Sequence, residues 1–149
     1  MTDTPLQRMT PAGQMIPEGL DEAMVSAVVS AFYGKARHDD VLGPVFNRVI
    51  AADHWPEHIQ TITDFWSSML LGTRRYTGRP MPKHLAIPEL DDSHFQRWLT
   101  LFKQTADELC PPHIAAIFVD RAERIGYSFR IRIAQFRGED SLAVRLMRA

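Results

Sequence analysis

Two histidines, a tyrosine and a tryptophan are the residues of this 149-residue chain best placed to do chemistry. His84 lies in the run Pro80-Met-Pro-Lys-His84-Leu-Ala-Ile-Pro88. Pro80 and Pro82 stop a helix from arriving from upstream, and Pro88 limits anything that starts near His84 to about one turn. The imidazole is therefore fixed on a short, stiffly defined perch. Such a perch suits the holding of a ligand, and the obvious ligand for an imidazole is a metal. His58 belongs to a different kind of element. It shares helical spacing with Ile62, Phe65 and Met69, so it is predicted to point inward along an apolar stripe. Tyr33 and Trp98 stand on or beside apolar faces, each with a hydrogen-bond donor at the end of an apolar body.

Each residue has a plainer reading. A histidine on an apolar stripe is more often a satisfied core or boundary residue, and single buried aromatics usually pack. His94 competes with His84, but it sits in the first turn of a helix, where a histidine usually faces solvent, and it lacks the proline-bounded perch. His54 and His58 have a spacing seen in zinc sites. Pro56 lies between them and argues against a shared helical face. His38 and His113, next to charge or proline, read as surface residues.

The elements that must position these side chains are helical. Leu20, Met24, Val28 and Phe32 recur on one face of a helix reaching Ala36, with Asp21 as its N-cap. Gly43-Pro44 reads as a tight corner, and Asn47 to Trp55 as irregular chain. Pro56 suits the first residue of a helix that runs to about Leu71 and stops at Gly72. Asp91-Asp92-Ser93 opens a helix with Phe95, Trp98, Leu99, Phe102, Ala106 and Leu109 on one face. Pro111-Pro112 closes it and starts another, with Ile114, Phe118, Ala122, Ile125 and Phe129 inward. No run shows sustained strand alternation. The expectation is an all-α chain with four substantial helices and one very short one. Residues 1–18 form a flexible N-terminal arm, 19–137 one domain and 138–149 a peripheral tail.

Composition excludes several classes. A net charge of −1 gives no electrostatic footprint for nucleic acid. A single cysteine, Cys110, rules out an internal disulfide and suits a reducing compartment. No apolar run has the length of a signal core or a membrane span, so the expected location is cytoplasmic.

The ordered set Phe32-Tyr33, Leu42-Gly-Pro-Val-Phe46, Trp55-Pro-Glu-His58, Phe65-Trp66, Met69-Leu-Leu-Gly72, Tyr76-Thr-Gly-Arg-Pro80, Lys83-His84-Leu85 and His94-Phe-Gln-Arg-Trp98-Leu99 resembles the truncated haemoglobins, in particular their third group. The resemblance covers about residues 20–136 and implies a two-over-two helical sandwich around one b-type haem. It implies that His84 is the proximal ligand of the iron, and that Tyr33, His58 and Trp98 face a diatomic ligand on the distal side. Phe46, Ile62 and Phe65 fall to the pocket wall. Tyr76, Arg79 and Lys83 fall, more loosely, to the haem propionates, a use that suits three nearby arginines too few for nucleic acid. The implied partners are dioxygen and other diatomics. The same pocket could instead serve an enzyme that oxidises nitric oxide or reduces peroxide, which would need an external reductase. A third class, a helical adaptor whose aromatics are only core, would take up no haem.

Overall fold

Two aspartates and a set of prolines decide where the helices begin. The computed structural model describes residues 6–10, 13, 15–76, 78 and 87–149. The perch with Arg79, Lys83 and His84, and the very short helix expected there, lie outside the described residues. Asp21 is extended and its carboxylate accepts from the Met24 N–H at 2.9 Å, capping α1 (Glu22–Ala36). Pro44 lies in the first turn of α2 (Gly43–Val49), and Pro56 in that of α3 (Trp55–Leu71), where a missing N–H costs nothing. Asp91 caps α4 (Asp92–Leu109) by accepting from the Ser93 and His94 N–H groups, while its own N–H donates to His94 Nδ1. Pro112 opens α5 (Pro112–Phe136).

α1 packs against both α3 and α4, and α4 runs along α5, giving the two-over-two sandwich of an all-α globin fold. Contact on two sides explains why α1 buries more than one stripe: Val25, Val28, Val29, Phe32, Tyr33 and Ala36 are all covered. The core is built on aromatic layers. Phe102 stacks against Trp66 at 5.1 Å and Trp98 at 5.7 Å, with Phe32 and Phe118 meeting its ring at steeper angles. No described helix is long and apolar enough to cross a membrane.

Three segments differ from the sequence reading. Gly43 and Pro44 begin a helix rather than break one, because both residues fall in its first turn. Glycine is required there for space: a Cβ at Gly43 would lie 2.8 Å from the Arg37 carbonyl oxygen. Within the N-terminal arm, β1 (Gln7–Met9) and β2 (Met15–Pro17) pair antiparallel, with Arg8 opposite Ile16. Ile16 is buried in the main core, and the Arg8 guanidinium donates to the Leu20 carbonyl at 2.6 Å. The tail, after a 3₁₀ turn at Ser141–Ala143, returns over α4 and α5 instead of staying peripheral. The Ala149 N–H donates to the buried Glu123 carboxylate at 2.7 Å, and Gln96 donates to the Arg148 carbonyl. Met147 packs on the core.

The corner before α2 hangs on Asp39. Its carboxylate accepts from the Val41 and Leu42 N–H groups and from Arg97 Nε of α4 at 2.7 Å. The Arg97 hydrogen bond, helped by the two backbone donors, holds the Asp39 carboxyl below the usual carboxylate range against the opposing effect of burial. A depressed folded-state pKa means that the stabilisation is complete above the unfolded carboxylate's pKa and is lost as pH falls through the lower folded value. Asp39→Asn should therefore lower stability at pH 7 by about 1–2 kcal/mol. The gap to wild type should close as the pH falls below about 4, as read by urea denaturation at a series of pH values.

Candidate functional site

Tyr33 sits in the last turn of α1, its ring meeting the neighbouring Phe32 edge-on at 4.9 Å and three rings from other helices. Phe46 of α2 lies at 5.8 Å, Trp55 at 6.0 Å and His58 at 5.8 Å, the last nearly perpendicular. Trp55, the first residue of α3, is the rigid base of this cluster. It is fully buried, meets the His58 ring edge-on at 5.6 Å and carries the Arg37 guanidinium over its face at 4.6 Å. The buried Arg37 Nε has no hydrogen-bond partner among the described residues, so the indole face is what it meets instead.

One and two turns along α3, Ile62 and Phe65 follow His58 on the same side, and Tyr76 meets Phe65 edge-on at 5.3 Å. Tyr76 is held by its N–H, which donates to Ser68 Oγ at 2.8 Å. A Cβ on Gly78 would lie 2.9 Å from the Tyr76 hydroxyl, so any larger residue there would have to push that ring aside. From the opposite layer, Trp98 of α4 is held edge-on by Phe32 and stacked on Phe102.

These side chains enclose one cavity of about 470 Å³. Tyr33, Phe46, His58, Ile62, Phe65, Tyr76 and Trp98 all line it, together with Ile87, Leu90 and Phe95 and, from α5, Ile125 and Phe129. Its size and its mostly apolar wall suit a flat apolar ligand. Two donors are the exception. The Tyr33 hydroxyl and the Trp98 indole N–H take no hydrogen-bond partner among the described residues. Burial pushes the Tyr33 phenol well above its ordinary pKa, and the Tyr76 phenol up as well, so both remain protonated donors at neutral pH.

Of the ten residues singled out from sequence, seven thus share one cavity, and Arg79, Lys83 and His84 lie outside the described residues. His94 is not solvent-facing. Its side chain is 16% exposed and lines the cavity, with Nδ1 engaged by the Asp91 cap. His54 and His58 both line the cavity too, yet among the described residues no three His, Cys, Asp or Glu side chains converge as a metal site. The sequence reading missed the supporting role of Trp55 and Arg37. The available signal was a tryptophan beside Pro56 at a helix start, three positions before an inward histidine.

Two crossed helix pairs around an apolar, aromatic-lined cavity define a globin of the two-over-two kind. A family model of bacterial-like globins matches residues 18–118. The group 3 truncated haemoglobin of Campylobacter jejuni is 32% identical over 123 residues, spanning 81% of this chain and 97% of that one. The crystal structure of a group III truncated haemoglobin from Campylobacter jejuni superposes with a TM-score of 0.73, covering 78% of this chain and 93% of the other at 32% identity. The chain belongs to the bacterial-like globin family, as a truncated haemoglobin of the third group.

Proposed function

We propose that this globin holds one b-type haem through His84 and binds dioxygen and other diatomic ligands reversibly in the cavity beside Tyr33. The observation that carries the reading is the Tyr33 hydroxyl: protonated, without a partner among the described residues, and open to an apolar cavity on whose wall its ring lies. A donor that faces an apolar cavity and spends its hydrogen bond on no protein group is free to donate to a polar ligand held there. Haem would supply an iron centre with affinity for small diatomic ligands. The chain's own residues do the rest. Phe46, Ile62 and Phe65 exclude water, Tyr33 and Trp98 donate hydrogen bonds to a polar ligand, and His58 adds a third polar group at the same wall. Tyr76, Arg79 and Lys83 are assigned to the haem propionates.

The number of donors favours a second reading. Tyr33 and Trp98 both open on one cavity, and two donors at one small ligand slow its release steeply, which suits redox chemistry on nitric oxide or peroxide better than oxygen delivery. Turnover would then draw electrons from an external reductase. The primary test is a visible absorption spectrum of the purified chain after addition of one equivalent of haemin. Stoichiometric uptake, with a ferrous–CO spectrum of a histidine-ligated haem, is expected. Failure to take up haem would leave the aromatics as core alone. Stopped-flow mixing of the dioxygen complex with nitric oxide then separates storage from catalysis.

A further inference from the structure

The turn that follows His84 in sequence, Ile87–Leu90, is held from outside rather than by its own bonds. Its single internal hydrogen bond, Leu90 N–H to the Ile87 carbonyl, is long at 3.4 Å, and Pro88 has no N–H to give. Yet Ile87 and Leu90 form part of the cavity wall. One side chain supplies what the turn lacks. Arg137, the C-cap of α5, donates to the Leu90 carbonyl at 2.7 Å, to Pro88 at 3.0 Å and to Ile87 at 3.1 Å. A second tie, the ion pair between Arg48 of α2 and Glu89, fixes the other side of the turn.

We infer that Arg137 is a positioning residue for the cofactor: it sets the cavity wall at Ile87 and Leu90, in the turn that follows His84 in sequence. The inference rests on the reading of His84 as the haem ligand. Three carbonyls pointing at one guanidinium match its planar fork of donors, which an ammonium cannot reproduce. Arg137 is itself anchored, because its N–H closes the last turn of α5 on the Ile133 carbonyl at 3.0 Å. Arg130, two turns earlier on α5, offers an internal control. It donates to Asp92 and to the Arg145 carbonyl and to none of the three turn carbonyls.

The test uses the haem-loaded chain. Arg137→Met should speed haem transfer to apomyoglobin by about three- to tenfold, a discounted effect because the guanidinium is partly solvated. It should also shift the iron–histidine stretching band of the ferrous form in resonance Raman spectra. Arg137→Lys should fall between Arg137→Met and wild type, and Arg130→Met should leave both readouts unchanged even where its melting temperature falls as far. Equal haem loss in Arg137→Met and Arg130→Met, or wild-type behaviour in Arg137→Met, overturns the inference while leaving haem binding intact. A wild-type chain that takes up no haem overturns both.

Discussion

Replacing His84 by glycine should abolish or strongly weaken haem retention, and free imidazole in the buffer should restore a five-coordinate ferrous spectrum. Loss of a supporting hydrogen bond behind a metal ligand already costs about 10–100-fold in affinity, and loss of the ligand itself costs more. The cavity would still offer apolar contact to a macrocycle, worth about 25 cal/mol per Å². Weak, easily washed-out haem is therefore the expected residue of binding, rather than none. His94 is the informative comparison. It lines the same cavity, but its Nδ1 accepts the Asp91 N–H in a capping box at the start of α4. His94→Ala should cost about 0.5–1.5 kcal/mol of stability through the one hydrogen bond lost from Asp91 N–H, with the ferrous–CO spectrum intact. The opposite pattern, haem lost with His94 and kept without His84, would overturn the ligand assignment.

What could be read from the sequence was what local chemistry decides. Asp21 as a cap, a helix opening at Asp91-Asp92-Ser93 and Gly72 as a stop are choices made within a few residues, and each stands in the structure, while the helix at Pro56 begins one residue earlier, at Trp55. The face of Met24, Val28 and Phe32 was legible for the same reason: Val28 and Phe32 are buried and Met24 packs on the core, while Leu20 is buried just ahead of α1. The segments that differed depend on partners far along the chain. Strands of three residues are too short to show alternation, and their place is set by Ile16 reaching the core and Arg8 reaching Leu20. The tail has no helical period, and its docking depends on Glu123, an acid buried on α5 that only the returning Arg148 and Ala149 explain. The Gly-Pro pair that opens α2 was a choice between two valid uses of proline, breaker or first turn, and the Asp39 corner decided it.

The site followed the same division. His58, Ile62 and Phe65 come together because they lie on one helix with fixed spacing, and periodicity exposes that. Tyr33 beside Trp55, or Tyr76 beside Phe65, joins residues from separate elements, which periodicity cannot reveal; the resemblance to a family put Tyr33, Phe65 and Tyr76 at one site but gave Trp55 no role. His94 shows a limit of reasoning from propensity. First-turn histidines usually face water, but here the imidazole replaces the usual Glu or Gln of a capping box and is drawn inward.

Tyr33→Phe should speed dioxygen release by about ten- to a hundredfold, which is the kinetic size of a 1.5–3 kcal/mol hydrogen bond to a charged acceptor. Carbon monoxide carries less negative charge on its outer atom and should leave at nearly the wild-type rate, so the ratio of the two effects separates a lost hydrogen bond from a widened cavity. Fold stability gives a second control. The Tyr33 hydroxyl bonds to nothing among the described residues, and its removal leaves no orphaned protein group, so the apo chain should melt within about 0.5 kcal/mol of wild type. The pH profile gives a third. Burial raises the Tyr33 pKa above its ordinary value, so the donor stays protonated through about pH 10, where an exposed tyrosine would be half ionised. Wild-type dioxygen release should therefore stay flat as pH rises from 7 to about 10, without the acceleration that an ionising donor would bring. An unchanged off-rate in Tyr33→Phe would assign the ligand to the Trp98 indole or to His58, and Trp98→Phe would then show the loss instead.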